Sequence, residues 1–170
     1  MLALVFVPLA VVVVLLVAEK RDLLTWIWIA KPLASTGFVC VAVAAGALAG
    51  DAGCYGRWVL AGLCLSWWGD VLLIPRGRPA VFRAGVIAFL LGHLAYAAAC
   101  ASRGLAPVAA LSAGLVISGV GWLVLRWLRP HLPAEMRLAV PAYVVVISGM
   151  LVCAVASVAA AGGPAILLGA

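Results

Sequence analysis

Residues 138–161, LAVPAYVVVISGMLVCAVASVAAA, run for 24 positions without a single charged side chain. As a helix rising ~1.5 Å per residue, such a run is longer than the ~30 Å hydrocarbon thickness of a bilayer. Water offers no comparable way to house it, and the rest of the chain repeats the pattern. Further apolar runs cover residues 2–18, 23–49, 58–74, 80–101 and 105–127. Hydrophobic residues form 68% of the 170 positions and charged residues 9%. A soluble domain is nearer half apolar and a quarter charged. The sequence therefore predicts an all-α, polytopic transmembrane helix bundle forming a single domain over residues 1–170.

The interruptions are short and combine charge with helix breakers. They include Glu19-Lys20-Arg21-Asp22, Gly50-Asp51-Ala52-Gly53, Pro75-Arg76-Gly77-Arg78-Pro79 and Arg129-Pro130-His131-Leu132-Pro133. Loops of this length leave no room for an extramembranous domain, so neighbouring helices are expected to pack antiparallel. The first run lacks the basic start and the cleavage site of a signal peptide and reads as a helix. A further run opens after Gly162-Gly163-Pro164 and reaches only Ala170. The expectation is six full spans and a seventh cut short.

The net charge of +6 is scattered between the apolar runs, with no basic stripe of the kind that binds nucleic acid. It reads instead as topology. Eight of the eleven Lys and Arg residues fall in the first, third and fifth loops: Lys20, Arg21, Arg76, Arg78, Arg83, Arg126, Arg129 and Arg137. By the positive-inside rule those loops are cytoplasmic and the N-terminus is outside, in a multi-pass protein of a membrane such as the bacterial inner membrane. The five cysteines form no C-x-x-C pair and no ligand cluster, so no metal and no cofactor is expected.

Ionisable groups inside spanning helices cost at least ~2.5–3.5 kcal/mol each and mark function more often than accident. Lys31, Asp70 and His93 are three such groups. Counting from the basic ends of their runs places Lys31 ~12 Å, Asp70 ~9 Å, His93 ~15 Å and Tyr143 ~9 Å deep. All four thus fall in the cytoplasmic half of the bilayer, where a bundle could gather them around one polar cavity. Each also has a structural reading. Asp70 could simply pair with Lys31 or Arg76, Lys31 could snorkel, and His93, Tyr96 and Tyr143 could be interhelical hydrogen-bonders. The tryptophans near run ends, such as Trp26, Trp67 and Trp122, suit an interfacial belt. No serine has the G-x-S-x-G setting of a serine hydrolase.

Four motifs occur in order along the chain: Lys31-Pro32-Leu33, Gly69-Asp70-Val71-Leu72-Leu73, Gly92-His93-Leu94-Ala95-Tyr96 and Pro141-Ala142-Tyr143-Val144. Together they resemble the lysoplasmalogenase (YhhN-like) family of bacterial and animal membrane proteins. The resemblance implies an eight-helix bundle that hydrolyses the vinyl ether bond of a lysophospholipid substrate, giving a fatty aldehyde and a glycerophospho-alcohol. It implies Asp70 and His93 as catalytic residues, with Lys31, Tyr96 and Tyr143 binding or orienting substrate. It also implies a second aspartate, in a Ser-Asp motif of a later helix, which the sequence to Ala170 does not contain; a shortened or separately inactive chain is the corresponding expectation. Vinyl ether hydrolysis starts with protonation of carbon. It therefore needs a carboxylic acid that stays protonated near neutral pH, and burial acts on carboxyl groups in that direction. The competing expectation is a small proton-coupled transporter or a lipid-binding membrane protein, because buried Lys, Asp and His also build proton relays.

Overall fold

A computed structural model of the chain describes residues 2–162, apart from the side chains of 2–5, Asp51 and Glu135. Among the described residues there are six α-helices and no strand: α1 (Leu2–Lys20), α2 (Leu24–Ala44), α3 (Gly53–Leu72), α4 (Pro79–Ser102), α5 (Pro107–Leu128) and α6 (Ala139–Ala160). Short 3-10 turns at Gly50–Ala52, Arg129–His131 and Ala134–Met136 join them. All six apolar runs thus become helices. Four helical segments, Leu24–Ala44, Pro79–Ser102, Pro107–His131 and Ala139–Ala160, are long and apolar enough to cross a membrane. α3 is diluted by Arg57, Asp70 and four glycines, so its sequence alone does not make it a candidate. The expected seventh run lies outside the described residues.

The helix ends differ from the apolar runs where the backbone takes a left-handed residue. Hydropathy carries the second run to Ala49, but α2 stops at Ala44 because Gly46 adopts φ +88°. The Gly46 amide bonds Val43 O and the Ala47 amide bonds Ala42 O, which closes a Schellman cap. α1 ends the same way with Asp22 in the left-handed position at φ 56°. The Asp22 amide there bonds Glu19 O, and the Leu23 amide bonds Ala18 O. Asp is one of the few side-chain-bearing residues that accept this conformation. Its carboxylate also accepts a hydrogen bond from Arg76.

The chain divides into two compact units, Met1–Ala95 and Tyr96–Ala170. In the first, α2 packs between α1 and α3. The buried positions there are mostly small, Ala18, Ala30, Ala34 and Ala88, with Ile27 the largest side chain fully enclosed, at 2% exposure. The face between α3 and the first part of α4 is built on glycines seven residues apart in each helix. A Cβ on Gly92 would lie 3.2 Å from Gly62 O, and one on Gly85 would lie 3.3 Å from Gly69 O. The Phe89 ring covers Gly69. Small residues let backbones approach closely where packing, not water, drives helix association.

In the second unit α5 pairs with α6, tied at one end by the Ala106 amide on Ala156 O at 3.0 Å. Gly121 faces Val144 and Ser148 along the pair. Its outer surface is apolar, with Val108 and Leu115 both 80% exposed. Contiguous apolar exposure on this scale is unstable in water and suits hydrocarbon surroundings.

Candidate functional site

The site grows from the register between α2 and α3. Lys31 lies seven residues into α2, and Asp70 lies in the last turn of α3, two residues before its end. The carboxylate therefore sits at the negative end of the helix dipole, which opposes it by about 0.3–1 kcal/mol. Two groups on one face of α2, spaced i and i+4, compensate. Lys31 Nζ stands 3.9 Å from Asp70 Oδ1, and the Ser35 hydroxyl hydrogen-bonds Asp70 Oδ2. The same hydroxyl lies 3.1 Å from its own helix's Lys31 carbonyl. The Lys31 and Asp70 side chains are 19% and 25% exposed.

Ser35 thus carries one proton and faces two acceptors. When Asp70 is ionised, the hydroxyl donates to it. When Asp70 is protonated, the carboxyl can donate to Ser35 Oγ while the hydroxyl donates to the Lys31 carbonyl. The Ser35 hydroxyl can therefore meet Asp70 in either protonation state, whereas its bond to the Lys31 carbonyl is available only when Asp70 is the donor.

Because α2 continues about 10 Å beyond the level of Asp70, something other than α3 must cover its first two turns. The segment after α3 does so. Ile74, four residues past Asp70, is buried against Ala18 and Ile27, and Ile27 is four residues before Lys31. Arg76 then donates to the Asp22 carboxylate, with Glu19 at 4.0 Å. This arginine is held above its ordinary value by the Asp22 hydrogen bond and then by the charge of Asp22, with a smaller contribution from Glu19. The order from the helix interior outward is an ion pair, an apolar contact and a second ion pair of reversed polarity. The two partners considered for Asp70 are thereby separated: Lys31 takes it, and Arg76 is occupied elsewhere. On the next faces the Trp67 indole donates to Thr36 Oγ1 at 3.0 Å, and Trp67 meets Trp68 edge-on with ring centroids 5.1 Å apart.

His93 occupies a different level. Its neighbour Gly92 packs against Gly62 and Ser66 of α3, one to two helical turns from Asp70, or about 6–12 Å. Nδ1 of His93 hydrogen-bonds the Phe89 carbonyl of its own helix at 2.7 Å, so that nitrogen carries the hydrogen. Phe89 in turn lies on Gly69, next to Asp70. Tyr96 and Tyr143 belong to the second unit, both half-buried, Tyr143 beside the Val144 that packs on Gly121. The structure therefore brings Lys31 and Asp70 into direct contact and adds Ser35. The sequence reading missed Ser35 although its i+4 spacing from Lys31 is visible in the sequence.

Fold and site together define an all-helical membrane protein whose first unit holds a carboxyl, an ammonium and a hydroxyl in one cluster among apolar helices. The chain belongs to the YhhN family, whose model matches residues 26–170, a family that includes lysoplasmalogenases. No curated protein and no solved structure gives a significant match.

Proposed function

We propose that this protein is a membrane-embedded hydrolase that cleaves the vinyl ether bond of a lysoplasmalogen or a related lysolipid. The observation that carries this reading is the Asp70 carboxyl set between the Lys31 ammonium and the Ser35 hydroxyl, whose hydrogen bond it accepts. In the proposed reaction protonated Asp70 gives its proton to the vinyl carbon β to the ether oxygen, leaving an oxocarbenium ion. Lys31 stabilises the carboxylate that remains. Water adds to the oxocarbenium carbon and returns a proton to Asp70. The resulting hemiacetal splits into a fatty aldehyde and the free hydroxyl of the glycerophospho-alcohol. One water is consumed and the acid is regenerated. His93, in the same unit, is assigned to orienting the headgroup or the water.

In this reading all six helices span the bilayer, the N-terminus is outside and the odd-numbered loops are cytoplasmic. The Arg76–Asp22 pair supports that arrangement, since it holds the first and third loops at one end of the first unit. The test is aldehyde release from a lysoplasmalogen by protein expressed from its full reading frame and purified in detergent, with free fatty acid measured in parallel. Aldehyde release that falls at least a hundredfold in Asp70→Asn supports the proposal. Undiminished release by Asp70→Asn removes Asp70 from the chemistry. No turnover of any lipid by the unmodified protein points to a proton-coupled carrier instead.

A further inference from the structure

The second unit contains a cluster that the proposed chemistry does not use. Where α5 ends and α6 begins, Arg126, Arg129 and Arg137 line one cavity of about 530 Å³ together with Trp122, Leu125 and Pro141. All three arginines are exposed, and no salt bridge to any of them occurs among the described residues. The Arg126 guanidinium lies over the Trp122 ring, 5.3 Å from its centroid, which fixes one cation at the boundary between the charged and apolar parts of the cavity.

Three arginines lining one concavity supply donors suited to the oxygen atoms of a phosphate, which arginine binds through paired, geometrically matched donors. The apolar side of the cavity shows what the phosphate is attached to. From Trp122 the exposed residues Leu115, Leu111 and Val108 continue along α5 at intervals of seven, four and three, a single helical stripe. A free phosphate has no use for such a stripe, whereas an acyl chain hanging from a bound headgroup would lie along it.

We propose that the Arg126–Arg129–Arg137 pocket binds the phosphate of an anionic glycerophospholipid, with the acyl chains running along the exposed stripe of α5. This site does not depend on the hydrolase reading. It also differs from the general attraction of basic loops to anionic membranes, because it predicts one saturable site with headgroup preference.

The test is native mass spectrometry of the detergent-solubilised full protein titrated with phosphatidylglycerol or with phosphatidylcholine of identical chains. The expected result is a single phosphatidylglycerol bound at least tenfold more tightly than phosphatidylcholine. At about fivefold per basic contact, the triple substitution Arg126→Gln/Arg129→Gln/Arg137→Gln should weaken it roughly a hundredfold. The control Arg78→Gln/Arg83→Gln removes exposed arginines of the first unit and should change it less than twofold. Equal losses in the two variants, equal affinity for both lipids, or displacement of the lipid by millimolar inorganic phosphate would each overturn the proposal. If the triple variant does not fold, Arg137→Gln with about a fivefold loss, and weaker phosphatidylglycerol binding by the intact protein as sodium chloride rises, must both be seen for the proposal to stand.

Discussion

Removing both members of the Lys31–Asp70 pair should cost less than the sum of removing each alone, and the geometry sets the scale. At 3.9 Å the gross attraction is about 4 kcal/mol with an effective dielectric constant of ~20. Desolvation opposes much of this, and the two side chains keep 19% and 25% of their exposure, so the 3–5 kcal/mol expected for breaking a fully buried pair is an upper bound. Lys31→Met leaves Asp70 with only Ser35 to oppose the helix dipole. Asp70→Asn leaves an ammonium among apolar helices. Each single variant should lose about 1.5–3 kcal/mol of stability, while Lys31→Met/Asp70→Asn should lose less than the sum by about 1–2 kcal/mol. The assay is thermal unfolding in detergent, followed by loss of monodisperse protein on size-exclusion chromatography and calibrated by helix content. A double variant whose loss equals the sum of the singles within about 0.5 kcal/mol would show that the two side chains are not coupled and would refute the Lys31–Asp70 ion pair.

Further outcomes follow from other contacts. Ser35→Ala removes a hydrogen bond to the carboxylate and should cost about 1.5–3 kcal/mol, with Ser35→Thr restoring both the melting temperature and aldehyde release. Gly69→Ala places a Cβ 2.6 Å from the Phe89 ring, a side chain that can turn aside, so a loss of about 1–3 kcal/mol in thermal unfolding is expected. Arg76 is raised relative to its unfolded value, so its contribution is complete below that value and fades only as pH rises through the folded one, both in strongly alkaline solution. The difference in melting temperature between the protein and Arg76→Gln should accordingly stay constant from about pH 7 to 10. In a cysteine-free background, Arg78→Cys should react with a membrane-impermeant maleimide only after the cytoplasmic face is opened; labelling of intact cells would invert the proposed topology.

Most of the fold was legible because lipid-facing helices declare themselves by length and lack of charge. What was not legible was where the runs stop being helical. Hydropathy does not distinguish the Ala45–Ala49 turn from the helix before it, since alanine and leucine continue through both; only the left-handed Gly46 ends α2. α3 posed the opposite difficulty. Arg57, Asp70 and its glycines lower its apolar character, yet Gly62 and Gly69 are what let α4 approach it.

The site was half legible for a related reason. Charge in an apolar run identified Lys31 and Asp70, but depth counted from loop charges assumed that each helix begins where its basic residues begin. α3 instead ends four residues before Arg76, so Asp70 belongs to a helix terminus and not to a helix interior. That position creates the need for Ser35, whose uncharged hydroxyl made no mark in hydropathy. It also creates the need for Ile74 and Arg76, which continue the pairing with α2 and the α1–α2 turn after the helix has stopped. A carboxyl at a helix end gains access that one in mid-helix lacks. Asp70 at that helix end keeps a quarter of its side-chain exposure, so Lys31 and Ser35 reach it from α2 without enclosing it.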